Sequence, residues 1–560
     1  MRRTLATTLV ALSTTAALSG AALSPAGADE ADGAAGSGLA PVTGLTGGLT
    51  GGLTDGLVGV GEVLGAAPRT STGAASRVLD DTVALLGSSD PSRSRGVTIA
   101  LRDLALAMPG LDAADRETAG AILARPTSPA STGSTTGGAQ RPTGGGTPIG
   151  GGYTTGDVKR KCNSNFCVHY VRTTDDAATH SWAKKNLAEL GRVWKKEVRK
   201  LGYKKPLSDK DWPGSGGSDN GGNGKFDVYL QNLGDDGVYG YCTTEFVRVK
   251  NGRSTRQGGG YCVLDNDFST AEYGAPPADS MKVTAAHEFF HAIQFAYDYT
   301  EDGWLLESTA TWMEERHADK VDDNRQYLPA SQISAPQTPL DLFNSGGSQQ
   351  YGNWVWWEHL TQQFGNGLVK KVWNTTTGGT YSTQAVKKVL KKKGGFPKRY
   401  ARFAAGNLNP ARSYPEGKNY AAAPATTWTL TKAAPKQTAQ PVIDHMASRS
   451  FEAKPDAELT ASGWKATIRV DGPNRSTSPQ AVVVVKNKKG GWDTRAITLN
   501  KKGNGKIKVP FSSKKVRGVT VSLVNASTRF NCGDSGYIFS CQGAPKDDEK
   551  PFKVFVTAAR

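Results

Sequence analysis

The strongest constraint on the fold is a polar trio inside an otherwise mainly apolar stretch, residues 283–295. His287, Glu288 and His291 stand there among Val, Ala, Ile and Phe residues. Burying three polar groups in such a segment is costly unless a partner satisfies them. Residues four apart project from the same face of a helix, so the two imidazoles are spaced as one tetrahedral zinc ion requires. We therefore expect a buried helix over residues 280–299 that carries a metal site.

Glu288 has a different role in this pattern. It follows His287 directly and is rotated by about 100° around the helix, so it does not easily join the same ligand set, but it can reach a water on the metal. The His-Glu-x-x-His pattern is typical of metalloproteases in which this glutamate is the general base. Zinc with three protein ligands keeps a position for water. We predict that Glu288 takes the proton of that water.

The third ligand determines the subclass. Tyr stands at position 297, where a metzincin would have its third histidine. The later segment Trp304-Leu-Leu-Glu307-Ser-Thr-Ala310 resembles the Trp-Leu-Asn-Glu-Gly-Phe-Ala segment of zinc aminopeptidases in the gluzincin group. In that group a second helix supplies a glutamate ligand. The resemblance implies that Glu307 completes the site with His287 and His291.

The resemblance covers about thirty residues, 287–315, and only 16 positions separate His291 from Glu307, fewer than in the aminopeptidases. The fuller strings His-Glu-Phe-Phe-His-Ala-Ile-Gln and Trp-x-x-Glu-Ser-Thr-Ala-Thr-Trp-Met-Glu are similar to those of bacterial secreted metalloproteases. This similarity implies a zincin-like catalytic domain that hydrolyses protein or peptide substrates. Two other interpretations stay open: a non-catalytic surface or adhesion protein stapled by zinc, and a zinc hydrolase of a non-peptide acyl bond.

Glu314 is the alternative third ligand. It lies seven residues after Glu307, two helical turns on and nearly on the same face. One glutamate would bind zinc while the other accepts a hydrogen bond from a ligand histidine. Glu315 points elsewhere, and we expect it to be solvated. The donor that stabilises the oxyanion stays open among three tyrosines: Tyr351, Tyr297 and Tyr299.

The first 152 residues divide into three segments by composition. Residues 1–28 have a basic start, an apolar stretch and a small-residue cleavage site, which predicts a signal peptide and secretion. Residues 29–125 are low in complexity and Gly-rich up to about residue 60, which predicts disorder there, and then show helical periodicity, for example over 97–123. We interpret them as a pro-segment, with a simple spacer as the alternative. Because no cysteine precedes Cys162, a pro-segment here cannot block a metal with a thiolate. Residues 126–152 form a Gly/Ser/Thr/Pro linker.

The cysteines, the hydropathy and the net charge limit the cellular environment and the kinds of partner that this chain can have. Bridging between neighbouring cysteines closes short loops at the smallest entropic cost, which predicts three disulfides: Cys162–Cys167, Cys242–Cys262 and Cys532–Cys541. No later segment is apolar enough to insert stably into a membrane, and nucleic acid is disfavoured because no binding motif is present. The formal net charge is +17, and residues 421–560 hold 23 Lys and Arg against 10 Asp and Glu. Such a field favours an anionic cell-wall or matrix polymer as partner of the C-terminal domain.

Two domains are predicted after the linker. Residues 153–424 combine helical periodicity, as over 305–318, with short strands such as 225–230, and form an α+β catalytic domain. Residues 425–560 consist of short β-runs separated by turns, the pattern of an all-β sandwich. The segment from Asp219 to Asp227 is similar to a Ca²⁺ loop, although Leu stands at position 230, where an EF-hand has glutamate. An Asn-Gly turn before the strand explains the same residues.

Overall fold

The structure is a computed structural model, and it describes residues 55–60, 73–88, 96–128, 151–212, 220–251, 253–534 and 536–560. The predicted signal peptide, residues 1–28, and most of the predicted linker lie outside these ranges. We refer to residues 55–128 as the N-terminal segment, to 151–424 as the α+β region and to 425–560 as the C-terminal region. Within the described ranges, no helix combines the length and the apolarity that a membrane span needs.

The strands described before residue 425 are β1 (Asp55–Gly59), β2 (Lys159–Cys162), β3 (Phe166–Tyr170), β4 (Phe226–Gln231), β5 (Gly240–Cys242), β6 (Phe246–Lys250), β7 (Arg253–Gly259) and β8 (Cys262–Asp265). Five of them form one sheet in the order β2-β3-β4-β8-β5. Parallel pairing joins β3, β4 and β8, whereas β5 runs antiparallel to β8 at the sheet edge. Every residue of β3 and β4 is buried, as expected for the interior of a covered sheet.

The described α-helices are α1 (Gly73–Leu86), α2 (Val97–Ala107), α3 (Ala113–Leu123), α4 (His180–Trp194), α5 (Thr270–Tyr273), α6 (Pro277–Asp298), α7 (Gly303–Ala318), α8 (Gln349–Gly352), α9 (Trp354–Phe364), α10 (Gly367–Thr376), α11 (Ser382–Leu390), α12 (Phe396–Gly406) and α13 (Pro410–Ser413). Helix α6 confirms the helix expected over 280–299. It starts at a proline, whose fixed φ suits the first helical position, and from Val283 to Asp298 all its residues are buried. Helix α7 follows after a short connection and packs against α6.

The N-terminal segment is folded onto the α+β region. Strand β1 pairs antiparallel with β6, so the prediction of disorder up to residue 60 is wrong for residues 55–59. An edge strand supplies the backbone partners that a Gly-rich sequence lacks locally. The predicted helical stretch 97–123 is two helices, α2 and α3, separated by a 3-10 turn at Met108–Gly110. Pro109 and Gly110 interrupt the helix because proline removes a backbone donor and glycine disfavours the helical state.

The strands of the C-terminal region are β9 (Thr426–Leu430), β10 (Lys436–Ala439), β11 (Val442–Ile443), β12 (Ala447–Pro455), β13 (Lys465–Asp471), β14 (Pro479–Asn487), β15 (Trp492–Ala496), β16 (Asn504–Pro510), β17 (Val516–Asn525), β18 (Phe530–Asn531), β19 (Ala544–Pro545), β20 (Lys550–Pro551) and β21 (Lys553–Ala559). A five-stranded sheet, β15-β14-β17-β12-β9, and a four-stranded sheet, β10-β21-β13-β16, share one apolar core. The structure therefore confirms that the region before residue 425 contains both helices and strands and that strands dominate after it.

All three predicted disulfides are present: Cys162–Cys167, Cys242–Cys262 and Cys532–Cys541. The second one joins the edge strand β5 to its neighbour β8, and both strands pack against helix α6. No cysteine is left unpaired, since the chain has six cysteines and all six lie in described ranges.

An ionic cluster joins the C-terminal region to the α+β region. The imidazole of His445 contacts Asp341 Oδ1 through Nε2 at 2.9 Å and Asp548 through Nδ1. The second oxygen of Asp341 accepts hydrogen bonds from the backbone and the hydroxyl of Ser540. Burial by itself lowers the pKa of His445, but the two carboxylates outweigh it and raise the pKa to about 9. The cluster therefore holds a buried charged histidine between the two regions at neutral pH.

Candidate metal centre

Two histidines of α6 and one glutamate of α7 converge at the base of a cavity. His287 Nε2 lies 3.1 Å from Glu307 Oε2, and His291 Nε2 lies 3.5 Å from the same oxygen. All three side chains are buried, and one ligand atom from each lies within 4.8 Å of the others. The structure thus brings together the three residues that the sequence predicts as ligands.

Glu314 lies on the far side of His287. Its Oε1 is 2.6 Å from His287 Nδ1, the nitrogen that faces away from Glu307. A carboxylate at Nδ1 keeps the proton on that nitrogen and leaves Nε2 free to bind a metal. This geometry favours Glu307 as the ligand and gives Glu314 the orienting role that the sequence had left open between the two.

Gln294 orients the second histidine, a role that the sequence analysis missed. His291 Nδ1 lies 2.7 Å from Gln294 Oε1, and the amide nitrogen of Gln294 donates to the Leu306 carbonyl at 2.9 Å and to Thr309 Oγ1 at 3.0 Å. Gln294 therefore links α6 to α7 and keeps His291 Nε2 pointed at Glu307. Its position three residues after His291, on the same helical face, was the available signal.

Glu288 lies on the cavity wall beside the two histidines. Its Oε2 accepts a hydrogen bond of 3.3 Å from the hydroxyl of Thr98, which belongs to α2 of the N-terminal segment. Burial raises the pKa of Glu288 above its ordinary value, against the attraction of His287 and His291. A carboxyl group with a raised pKa is suited to accept a proton and return it.

The electrostatics of the cluster suit a divalent cation. Burial alone would raise the pKa of Glu307, but His291 and His287 outweigh it and lower the pKa to about 2. Burial raises the pKa of Glu314 to about 7, although the hydrogen bond to His287 opposes this. Among the described residues, no hydrogen-bond partner is found for the buried His291 Nε2 or Glu307 Oε1. Two imidazole nitrogens and a carboxylate with open lone pairs fit a metal such as zinc.

The cavity above the cluster has a volume of about 50 Å³, which is room for a few water molecules. Of the three tyrosines predicted as oxyanion donors, only Tyr351 lines it, with its ring 6.1 Å from that of His287. The hydroxyl of Tyr297 instead accepts a hydrogen bond from the backbone of Lys204, and Tyr299 is not part of the wall either. Tyr327 and Tyr239 also line the cavity and were not found from the sequence.

Two further carboxylate clusters lie among the described residues, Asp265–Asp267–Glu272 and Glu315–Asp319–Glu416. Asp265 accepts hydrogen bonds from several backbone N–H groups of the loops beside it, so its carboxylate already has structural partners. The prediction that Glu315 is solvated is wrong. Glu315 is 5% exposed and accepts a hydrogen bond from Asn324, because the segment after α7 folds back over it.

The segment predicted as a possible Ca²⁺ loop forms the turn before β4. Asn220 and Asn223 accept hydrogen bonds from backbone N–H groups two residues ahead, which is the contact of an Asx-turn. The carboxylate of Asp227 contacts Arg125 at 2.6 Å and His169 at 2.8 Å. These contacts explain the positions of the polar residues without a bound Ca²⁺ ion, and Ca²⁺ binding stays a prediction.

Comparison with known proteins adds one family match. Residues 264–404 match the family described as "Family of unknown function (DUF6055)". The matched part is about a quarter of the chain, and it contains His287, Glu288, His291, Glu307 and Tyr351. No curated protein matches the chain.

Several solved structures are similar to a part of the chain. The pre-peptidase C-terminal domain of a collagenase from Bacillus anthracis is 8% identical, with 24% of this chain and 95% of that chain covered and a TM-score of 0.15. PliG from Aeromonas hydrophila, a periplasmic inhibitor of g-type lysozyme, is 10% identical, with 24% and 100% covered and a TM-score of 0.15. PliG from Salmonella Typhimurium gives the same values. TM-scores this low carry no argument about function.

Proposed function

We propose that this protein is a secreted zinc metallopeptidase of the gluzincin type, with a zincin-like catalytic domain in its α+β region. The observation that carries the proposal is the convergence of His287 Nε2 and His291 Nε2 on Glu307 Oε2, at 3.1 and 3.5 Å, with Glu288 on the wall of the same cavity. Structural zinc sites usually have four protein ligands and need no base. Three ligands beside a buried glutamate favour catalysis over a structural role.

The residues around the cavity have distinct tasks in peptide hydrolysis. Zinc, when bound, supplies a Lewis acid that polarises the peptide carbonyl and makes water more acidic. Glu288 accepts the proton as water attacks and returns it to the leaving amine, which its raised pKa favours. Glu314 and Gln294 hold the two imidazoles with Nε2 towards the cavity. Tyr351 supplies a hydroxyl that stabilises the developing oxyanion.

Secretion is the second part of the proposal. Three disulfides form and persist in oxidising compartments and are rare in the cytosol. Together with the leader-like residues 1–28, they favour export, which would bring the peptidase to extracellular protein or peptide substrates.

The test combines zinc analysis with a peptide-library assay on single variants, for the intact chain and for a chain cut within residues 129–150. Glu288→Gln should keep one zinc ion per chain and lose roughly 10²–10⁴-fold in turnover. Glu307→Gln should lose zinc, whereas Glu314→Gln should bind it about 10–100-fold more weakly. Glu315→Gln, on the same helix but paired with Asn324, is the matched control and should change neither quantity.

Each alternative gives a different result in this experiment. Full turnover by Glu288→Gln would refute the proposed base, and full zinc binding by Glu307→Gln would move the ligand to Glu314. Stoichiometric zinc without hydrolysis of any peptide, before or after cutting, would point to a zinc-stapled binding protein. Hydrolysis of esters or other acyl compounds alone would point to a non-peptide hydrolase.

A further inference from the structure

Helix α2 of the N-terminal segment contributes Thr98 to the wall of the cavity. The hydroxyl of Thr98 donates to Glu288 Oε2 at 3.3 Å and accepts a hydrogen bond of 3.1 Å from the backbone N–H of Cys242 in β5. Thr98 is 190 residues away from Glu288 in sequence. One side chain therefore engages both the proposed base and the edge of the sheet.

The edge that Thr98 engages is the outer side of β5. The backbone groups of Tyr239 and Thr243 bond towards β8, and because bonding direction alternates along a strand, the N–H of Cys242 points away from the sheet. Such an amide is where an added extended chain makes its backbone hydrogen bonds. Strand β5 also lies against the base, since a Cβ at Gly240 would meet Glu288 Cγ at 3.0 Å.

Two buried arginines fasten the N-terminal segment to the α+β region. Arg102 of α2 donates to the carbonyl oxygens of Tyr299 at 3.0 Å and Glu301 at 2.6 Å, in the connection between α6 and α7. Val97, Leu101 and Leu104 of the same helix are buried in the main apolar core. Helix α2 is thus packed into the same apolar core as the α+β region.

Arg125, after α3, makes the second attachment. Its side chain is fully buried and contacts three carboxylates: Asp227 at 2.6 Å, Asp209 at 2.8 Å and Glu245 at 2.8 Å. Three buried carboxylates need a cation nearby, and the N-terminal segment supplies it. The Gly/Ser/Thr/Pro-rich residues 129–150 follow directly.

We propose that residues 96–128 are a built-in inhibitor of the metal centre, which occupies both the base and the strand edge that a substrate backbone would use. The inference rests on the proposed peptidase function. Thr98 occupies both the carboxylate of Glu288 and the backbone N–H of Cys242, so the segment must leave this strand edge before a substrate backbone can bind there. Cutting residues 129–150 removes only the covalent link, and the arginine attachments must then release.

The test uses the full chain with a recognition site for a sequence-specific protease placed within residues 129–150, and the variant Thr98→Val. Thr118→Val is the matched control, since this exposed hydroxyl bonds only within α3. We expect Thr98→Val to speed amide hydrogen exchange in β5 and the removal of zinc by a chelator at least tenfold, with no change in Thr118→Val. Cutting followed by release of the segment should raise peptide hydrolysis at least tenfold.

The readouts separate this inference from the proposed function. Faster exchange and zinc removal without any hydrolysis would support the inhibitor segment and count against the peptidase. Equal exchange and zinc-removal rates in Thr98→Val and the parent chain would overturn the inference. So would hydrolysis by the intact, uncut chain at the rate of the cut chain, which would leave the peptidase in place.

A separate observation concerns the outer face of the four-stranded sheet in the C-terminal region. The outward positions of β10, β21, β13 and β16 carry six cations, Lys436, Lys465, Arg469, Lys506, Lys508 and Lys553. Asp471 is the one acidic residue at these positions, and it pairs with Arg469. Phe555 lies among them, with Arg469 at 4.6 Å and Lys553 at 5.1 Å from its ring centre.

Folding alone does not favour this arrangement. Arg469 and Lys506 are direct cross-strand neighbours, and like charges in that position destabilise a sheet. Five of the six cations are lysines, whose ammonium groups bind phosphate as point charges, and the sixth, Arg469, is already paired with Asp471. We infer that this face binds a linear extracellular polymer with one phosphodiester per repeat.

The test measures binding of the full chain to poly(glycerol phosphate), with polygalacturonate and duplex DNA as competing probes. The triple variant Lys465→Gln, Lys506→Gln, Lys508→Gln should bind at least tenfold more weakly and with a smaller salt dependence. A control that removes the same charge from exposed loops, Lys488→Gln, Lys489→Gln, Lys514→Gln, should change binding less than twofold. Equal losses in both triples, or a preference for polygalacturonate or DNA, would overturn the assignment.

Discussion

Replacing Gln294 with leucine should weaken zinc binding while leaving the fold intact. Gln294 is fully buried, and its Oε1 lies 2.7 Å from His291 Nδ1. Leucine has a similar volume but accepts no hydrogen bond. The imidazole of His291 then loses the partner that keeps its proton on Nδ1, and Nε2 is no longer held towards Glu307.

The magnitude follows from the three contacts that are lost. Removing the partner of a metal-binding histidine costs about 10–100-fold in metal affinity, or roughly 1.4–2.7 kcal/mol. The contacts to the Leu306 carbonyl and Thr309 Oγ1 join α6 to α7 whether or not a metal is bound. Leaving buried polar atoms without partners there costs about 1–3 kcal/mol of folding free energy. The first loss is measured as a weaker zinc Kd and the second as a lower stability of the metal-free protein, so the two effects are separated by measuring both.

The assay is a competition titration with a chromogenic chelator, paired with thermal unfolding of the metal-free protein. Gln294→Glu restores the acceptor for His291 Nδ1 and should recover most of the zinc affinity, because a carboxylate is a common partner in such sites. An unchanged zinc Kd in Gln294→Leu, together with a lowered Tm of the metal-free form, would show that Gln294 only joins the two helices. That result would refute its orienting role.

Three further predictions address stability. Removing zinc with a chelator should lower the Tm of the parent protein and leave the Tm of Glu307→Gln unchanged. The free energy of unfolding of the parent should fall by about 2.7 kcal/mol if the free zinc concentration had been 100 times the Kd. Because the folded pKa of His445 is raised to about 9 from about 6.5, its contribution is fully present below pH 6.5 and is lost as the pH rises to 9. Between pH 6.5 and pH 9, the free energy of unfolding of the parent protein should fall by on the order of 3 kcal/mol more than that of His445→Gln. Arg125→Met should destabilise the chain by about 3–5 kcal/mol in urea unfolding, because it leaves buried carboxylates without their cation; a loss below 1 kcal/mol would contradict this.

Much of the fold follows from local patterns. The strand expected over 225–230 is β4, Phe226–Gln231, and the helix expected over 305–318 is α7, Gly303–Ala318. Neighbouring cysteines form the three disulfides. Two predictions were wrong for reasons of tertiary structure. Residues 55–59 were predicted to be disordered but pair with β6 as strand β1, and Glu315 was predicted to be solvated but is covered by the segment that contains Asn324. The residues next to β1 and next to Glu315 in sequence do not indicate that β6 or Asn324 will pack against them.

The sequence by itself predicts which polar groups the candidate site contains. The spacing of His287 and His291 places two imidazoles on one face of a helix, and the adjacent Glu288 adds a carboxylate beside them, because helical geometry repeats every 3.6 residues. Only the tertiary structure places Glu307 at Nε2 and Glu314 at Nδ1 of His287. Residues two turns apart on one helix share a face, so the sequence alone does not distinguish the two positions. Contacts across long sequence separations, such as Thr98 on Glu288, likewise depend on packing of distant elements, which no local periodicity encodes.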